Sequence, residues 1–225
     1  ILRCFHTRVP GKPAPFADVV TRQNRQRAIA HLESISAEMF ADDVSSNALH
    51  RSWLQRWRRH IPAYIDWQIR HAEHWRVHLA EHKVAVELDN VILHGRLDRI
   101  DHASKDDTVY CIIDYKTGKA PGDDEVLCGE DVQLSSYALM LPGTVRVSYL
   151  ELDSGNDRVK AGGSLDTDTT GPVSDQVAAR LQSCFTWMRH GAALPAWGDE
   201  ATCKWCDYQG ICRRSYWINQ QTGEH

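Results

Sequence analysis

The feature that most limits the fold is a change of hydrophobic period near residue 84. Upstream, apolar residues recur at helical spacing. Ala28, Ile29, Leu32, Ile35, Met39 and Phe40 mark a helix over 21–40, with Thr21 as its candidate N-cap. Leu49, Trp53, Leu54, Trp57, Ile61, Tyr64, Ile65 and Trp67 mark a long helix over 47–80, with Pro62 as a kink point and the Trp stripe read as core. The pattern then turns to alternation. Val84, Val86 and Leu88 precede an Asp89-Asn90 turn, and Val91-Ile92-Leu93 leads into Gly95–Asp101. After a polar stretch at 104–107 comes Val109–Lys116, so a three-strand antiparallel meander is expected. Further on, 129–141 suits a helix, 145–152 and 157–161 suit strands, and 172–190 suits a helix starting near Pro172. Residues 1–20, with Pro10, Gly11, Pro13 and Pro15, read as a short helix and a loop, and the last 35 residues as irregular. The expected architecture is α/β: a helical part over 1–80, a core of mixed sheet flanked by helices over 81–192, and a Cys-rich tail over 193–225 packing on that core.

Composition narrows the class. Of 225 residues, 42% are apolar and 25% charged, which excludes a disordered tail, a collagen and a disulfide miniprotein. No run approaches 18 apolar residues, so no membrane span is expected. Ile1-Leu2-Arg3-Cys4 lacks the features of a signal peptide and there is no initiator Met, so the chain reads as a piece of a longer one. Seven Cys, an odd number with three crowded at the C-terminus, point to a reducing cytoplasm. The net charge of −4 argues against a surface that is basic throughout. Its distribution is uneven, with six Arg against two acids over 45–80. Arg56 and Arg59 on that stretch are candidates for phosphate contacts, and a solvated amphipathic face is the alternative. Arg96 and Arg99 flank Asp98 and are further DNA-binding candidates, or charge partners of nearby acids. No recognition helix or base-reading pattern is visible.

The strongest chemical signal is Asp98, Asp114 and Lys116. A register centred on residue 106, inside the polar turn, sets Asp98 against Asp114 on facing strands. Two opposed carboxylates repel unless a cation lies between them. Lys116 follows Asp114 by two residues and projects from the same face. Two carboxylates, a main-chain carbonyl and waters suit Mg²⁺ or Mn²⁺. Such an ion activates water and neutralises a phosphate, while an adjacent ammonium stabilises developing charge. The pattern reads as metal-assisted phosphodiester hydrolysis.

Gly95-Arg96-Leu97-Asp98-Arg99-Ile100-Asp101, Asp114-Tyr115-Lys116-Thr117-Gly118 and Gln133-Leu134-Ser135-Ser136-Tyr137, in this order, resemble the PD-(D/E)XK nucleases of the RecB exonuclease family. The chain as a whole resembles the C-terminal nuclease domain of AddB-type double-strand-break repair proteins. The resemblance implies a restriction-endonuclease-like fold and a Mg²⁺- or Mn²⁺-dependent deoxyribonuclease acting as an exonuclease in DNA end resection. It makes Asp98 and Asp114 metal ligands, the Tyr115 carbonyl a further ligand, Lys116 the catalytic lysine, and Gln133 and Tyr137 part of a helix bordering the site. It implies DNA, a helicase–nuclease motor subunit and the upstream part of the parent chain as partners, in a bacterial cytoplasm. One element departs from the pattern. With Leu2 as the family's Leu, the family's upstream His in G-x-x-x-H falls before Ile1, and His6 lacks the flanking motif.

Cys203, Cys206 and Cys212 form C-x2-C-x5-C, which suits zinc or an iron–sulfur cluster. The spacing resembles the family's C-terminal [4Fe-4S] motif, whose fourth Cys lies far upstream. Cys4 is the N-terminal candidate and Cys128 an outside one, so the cluster is expected to be incomplete in this chain. Two rival readings stay open: a catalytically silent DNA-binding scaffold of a helicase–nuclease complex, and a zinc-stabilised interaction module.

Overall fold

The computed structural model describes residues 1–153, 158–192, 203–204 and 206–212. Contacts divide the chain into two compact units, Ile1–Arg180 and Leu181–His225. The first unit contains helices α1 (Leu2–His6), α2 (Arg25–Met39), α3 (Ala41–Ser46) and α4 (Ala48–His71). Strands β1 (Trp75–Leu88), β2 (Val91–Ala103) and β3 (Asp106–Lys116) follow, then α5 (Asp123–Leu127), α6 (Gln133–Met140), β4 (Thr144–Glu151) and β5 (Lys160–Leu165). Helix α7 (Thr170–Arg189) begins in the first unit, and α8 (Gln209–Cys212) lies in the second.

The five strands form one sheet in chain order. The first three are antiparallel, β3 and β4 are parallel, and β5 returns antiparallel to β4. A parallel neighbour needs a crossover, and the β3–β4 connection supplies one that carries α5 and α6. At the β1–β2 turn Asp89 and Asn90 both have positive φ, as a two-residue hairpin loop requires. Helices cover both faces of the sheet. On one, Phe5, Leu32, Ile35, Ile61, Tyr64 and Ile65 pack with Cys111, Ile113 and Leu150. On the other, Leu134, Val126 and Val173 pack with Ile100, Ile112, Val147 and Leu165. Each buried Leu or Ile contributes about 1.5–3 kcal/mol, so the alternation of β3 binds both helical layers to one strand. The expected mixed sheet flanked by helices is the observed fold, and the N-terminal helices share a core with β3 and β4.

Several boundaries differ from the sequence reading. The long helix passes through Pro62 but stops at His71, and a strand begins at Trp75. Trp75, Val77 and Leu79 alternate with Arg76, His78 and Ala80, a period of two that the preceding helical stripe obscured. The Arg76 guanidinium donates to the carbonyls of Ala72 and Trp75 and so satisfies the end of α4. The buried face of α4 is Leu54, His60, Ile61, Tyr64, Ile65 and Gln68, whereas Trp53 is 53% exposed. The N-cap of α2 is Asn24, not Thr21; Asn24 Oδ1 accepts the Thr21 N–H at 2.8 Å and ties down the incoming loop. Helix α5 was not anticipated, and α6 begins only at Gln133. Strand β5 runs Lys160–Leu165, later than the expected 157–161, whose first residue lies outside the described residues. Most of the expected irregular tail, 193–225, also lies outside them. Among the described residues, no helix is long and apolar enough to cross a membrane.

Candidate active site

The β2–β3 hairpin positions the acidic pair. Arg99 pairs with Ile113, Ile100 with Ile112 and Asp101 with Cys111, the register centred on residue 106. The ladder ends at Arg99–Ile113, and Asp98 and Asp114 lie just beyond its last pair. Asp98 Oδ2 accepts the Tyr115 backbone N–H at 3.0 Å, which ties the two strands together at this point. Gly95, upstream on β2, is where α6 presses on the hairpin: a Cβ there would lie 2.6 Å from Met140 Sδ.

Asp114 is 3% exposed. Its Oδ1 accepts from Gln133 Nε2 at 2.8 Å. Its Oδ2 pairs with the Lys116 ammonium at 2.9 Å. Burial pushes the Asp114 carboxyl above the usual carboxylate range; Lys116 opposes the shift and the charge of Asp98 adds to it. Lys116 Nζ donates to Gln133 Oε1 at 2.7 Å, and Gln133 Nε2 also donates to the Tyr137 hydroxyl at 2.8 Å. Gln133 and Tyr137 are four residues apart on α6 and so share a helix face. Burial, with Asp114 and Asp98 nearby, raises the Tyr137 pKa against the Gln133 hydrogen bond. One amide thus orients both the buried carboxylate and the lysine.

Two residues of this constellation carried no sequence signal. Tyr149 pairs with Asp114 across the parallel β3–β4 register and places its ring 4.8 Å from Lys116 Nζ. Its hydroxyl donates to Asp131 Oδ1 at 2.6 Å. Only the alternation of Val147 and Tyr149 along β4 could have indicated an inward-facing position.

The donor set suits a hard divalent cation. The charge of Asp98 makes it harder to ionise Asp114, and a cation beside the two carboxylates would remove that cost. Among the described residues, no group of three or more His, Cys, Asp or Glu side chains gathers into a metal-ligand set. Two carboxylates match a Mg²⁺-like ion that keeps several waters.

The other candidates are placed differently. Arg99 is corrected: it is 1% exposed and cannot reach a phosphate. Its Nε and Nη2 bind Asp101 at 2.8 and 2.7 Å, and Nη1 donates to Gln68 Oε1 at 2.7 Å, with the hydroxyls of Tyr64 and Tyr115 and His6 Nε2 at 3.2 Å. His71 Nε2 meets Asp101 Oδ2 at 2.6 Å. Although burial acts the other way, Arg99 and His71 hold the Asp101 carboxyl well below the usual range. His6 also meets the Tyr64 hydroxyl at 2.5 Å, and burial and Arg99 keep it neutral to unusually low pH. A cavity of about 290 Å³ is lined by His6, Trp57, Glu81, Asp98 and Tyr115 among others. Arg96 is exposed and pairs with Glu81 at 3.0 Å, Arg56 is exposed and pairs with Asp153 at 3.3 Å, and Arg59 is exposed. In the second unit Cys203, Cys206 and Cys212 are partly exposed free thiols; in the first, Cys4 is buried and Cys128 exposed.

A search of the curated proteins returns no match. Among solved structures, one titled "Crystal structure of SSO0001" is similar at 16% identity and a TM-score of 0.31, over 87% of this chain and 82% of that one. A likeness of that size supports neither fold nor function. The profile of the PD-(D/E)XK nuclease superfamily matches residues 8–213, which include the whole sheet, the Asp98–Asp114–Lys116 constellation and α6. With this span and its five-strand mixed sheet flanked by helices, the chain belongs to the PD-(D/E)XK nuclease superfamily, whose fold is restriction-endonuclease-like.

Proposed function

We propose that this chain is a Mg²⁺- or Mn²⁺-dependent deoxyribonuclease domain that hydrolyses DNA from its ends. The observation that carries the reading is the Asp114 carboxylate, buried beside Lys116, with Gln133 bridging the two. Asp98, Asp114 and the Tyr115 carbonyl would hold the cation, which when bound supplies an activated water and charge neutralisation at the phosphate. The chain's own groups do the rest. Gln133 fixes one oxygen of the Asp114 carboxylate, and the other pairs with Lys116. Lys116, held by Asp114 and Gln133, presents an ammonium where negative charge develops on the phosphate. Tyr137 fixes the far end of the Gln133 amide. Exposed Arg56, Arg59 and Arg96 supply backbone phosphate contacts, which carry affinity without sequence preference.

The finer reading is an exonuclease of the RecB-like, AddB-type group, working in the cytoplasm in double-strand-break repair beside a helicase motor subunit and the remainder of its own chain. Supporting it are the ordered Gly95–Asp101, Asp114–Gly118 and Gln133–Tyr137 motifs. The same reading gives Cys203, Cys206 and Cys212 to a soft metal centre, which iron, sulfide and zinc analysis tests. Degradation of end-labelled linear DNA with Mg²⁺ or Mn²⁺, with Lys116→Ala as control, tests the nuclease. Cleavage lost in the variant is the expected result. DNA binding without cleavage would favour the silent scaffold, and stoichiometric zinc with unfolding by chelators would favour the interaction module.

A further inference from the structure

Lysine is a poor fixed charge. Its flexible stem carries about 2 kcal/mol of rotamer entropy, and the Lys116 side chain is 30% exposed. An ammonium that must meet a developing charge has to be held in place before the reaction. Asp114 and Gln133 hold it from one side, and both are themselves adjustable side chains.

We propose that Tyr149 is a positioning residue whose ring forms the seat of the Lys116 ammonium, with Asp131 locking that ring. This rests on the nuclease reading above and adds a residue to it. Tyr149 stands beside Asp114 in the β3–β4 register, so its side chain shares the face from which Asp114 and Lys116 project. The ring centroid is 4.8 Å from Lys116 Nζ, within cation–π range. Behind the residue, β5 is stripped of bulk: a Cβ on Gly162 would lie 2.8 Å from Tyr149 Cβ and 2.7 Å from Ala120 Cβ. The Tyr149 hydroxyl has one proton. It lies 2.6 Å from Asp131 Oδ1 and 3.2 Å from Gln133 Oε1, so the nearer carboxylate takes it. Gln133 Oε1 is then left to the ammonium, which prevents the amide from flipping its NH₂ toward Lys116. The ring, the carboxylate behind it and the amide beside it hold the ammonium together with Asp114, and the lysine stays partly open to solvent.

The test compares Tyr149→Leu and Tyr149→Phe with the parent chain and Lys116→Arg. The first readout is NMR of lysine-labelled protein, with the Lys116 Cε–Hε signals assigned by their loss in Lys116→Arg. Those signals should be displaced upfield by the ring in the parent and in Tyr149→Phe, and relax toward solvent values in Tyr149→Leu. The second readout is DNA cleavage. In Tyr149→Leu, kcat should fall about 10- to 100-fold while KM for DNA and the directly measured Mn²⁺ affinity stay within about twofold, and Tyr149→Phe should recover most of the rate. Equal Lys116 shifts in parent and Tyr149→Leu, or an unchanged kcat, would overturn the proposal. Should Tyr149→Leu fail to fold, Asp131→Ala releases the hydroxyl without removing the ring, the same bond that Tyr149→Phe loses. The upfield displacement and kcat should then fall part-way, to the level of Tyr149→Phe, and neither changing would overturn the proposal. A parent that shows the ring shift but cleaves no DNA would sink the nuclease reading and the seat's catalytic purpose, and leave the seat as a packing feature.

Discussion

The β2–β3 hairpin carries two acid–base sets back to back, and they are finished differently. Behind it, Arg99, Asp101 and His71 are sealed by α4: each Asp101 oxygen meets an Arg99 nitrogen, and one also meets His71. In front, against α6, Asp114 pairs with Lys116, and that lysine remains partly open to solvent. Asp101 is held below the usual carboxylate range and Asp114 is pushed above it. Two aspartates in one hairpin therefore serve opposite ends. A fully buried cationic partner makes a rigid anchor, and a partly exposed one leaves room for a ligand. Tyr115 joins the sets, its side chain touching Arg99 and its backbone N–H holding Asp98.

Breaking the sealed side should cost most. Arg99→Met leaves the Asp101 charge buried with only His71 beside it and should destabilise the fold by about 3–5 kcal/mol, read by urea denaturation. A loss under about 1 kcal/mol would mean that the network is not an anchor. On the open side, Lys116→Ala should leave the denaturation midpoint nearly unchanged while slowing DNA cleavage about 10²- to 10³-fold. If it unfolds the protein instead, the contrast between the faces collapses.

Titration sharpens the contrast, because the two carboxyls contribute with opposite sign. The folded Asp101 pKa is depressed, so its stabilisation is present above the unfolded value of about 3.9 and is lost as pH falls through the folded one. The folded Asp114 pKa is raised, so its contribution is present below about 3.9 and is lost as pH rises toward and through the folded value. In the metal-free protein, Asp114→Asn should flatten the decline of stability across that upper window, measured by urea midpoints at a series of pH values. A slope identical to the parent's would contradict the assigned shift. Protons also compete with a cation for Asp114, so Mn²⁺ affinity should rise with pH through the same window. The smallest effect is expected at the surface. Arg56→Ala with Arg59→Ala should weaken DNA binding several-fold and reduce the log–log salt slope by about 1 for each phosphate no longer neutralised, without altering kcat. An unchanged slope would place the DNA elsewhere.

Much of this was legible because the relevant signals are local. The β2–β3 register over Arg99–His102 follows from a polar turn and two alternating runs, and Asp98 and Asp114 lie just beyond its end. Gln133 and Tyr137 were legible through the family motif. Other features depend on what packs from a distance. Arg99 reads as a surface cation until Tyr64, Gln68 and Tyr115 close over it. Trp53 reads as core, but the face of α4 that turns inward instead buries His60 and Gln68. The start of β1 was hidden because Trp75 continues an aromatic run whose period changes only after His71. Tyr149 and Asp131 meet Lys116 only through the parallel crossover, which leaves no local trace.

That crossover also has a consequence for synthesis. The apolar faces of α2 and α4 close against Cys111, Ile113 and Leu150, so more than seventy residues beyond the end of α4 must be made before that core is complete. The motif residues from Asp98 to Tyr137, by contrast, leave the ribosome within a single stretch of forty. The helices made first wait longest for their partner, and for that interval their uncovered stripes are the part of the nascent chain most exposed to aggregation or to capture by a chaperone.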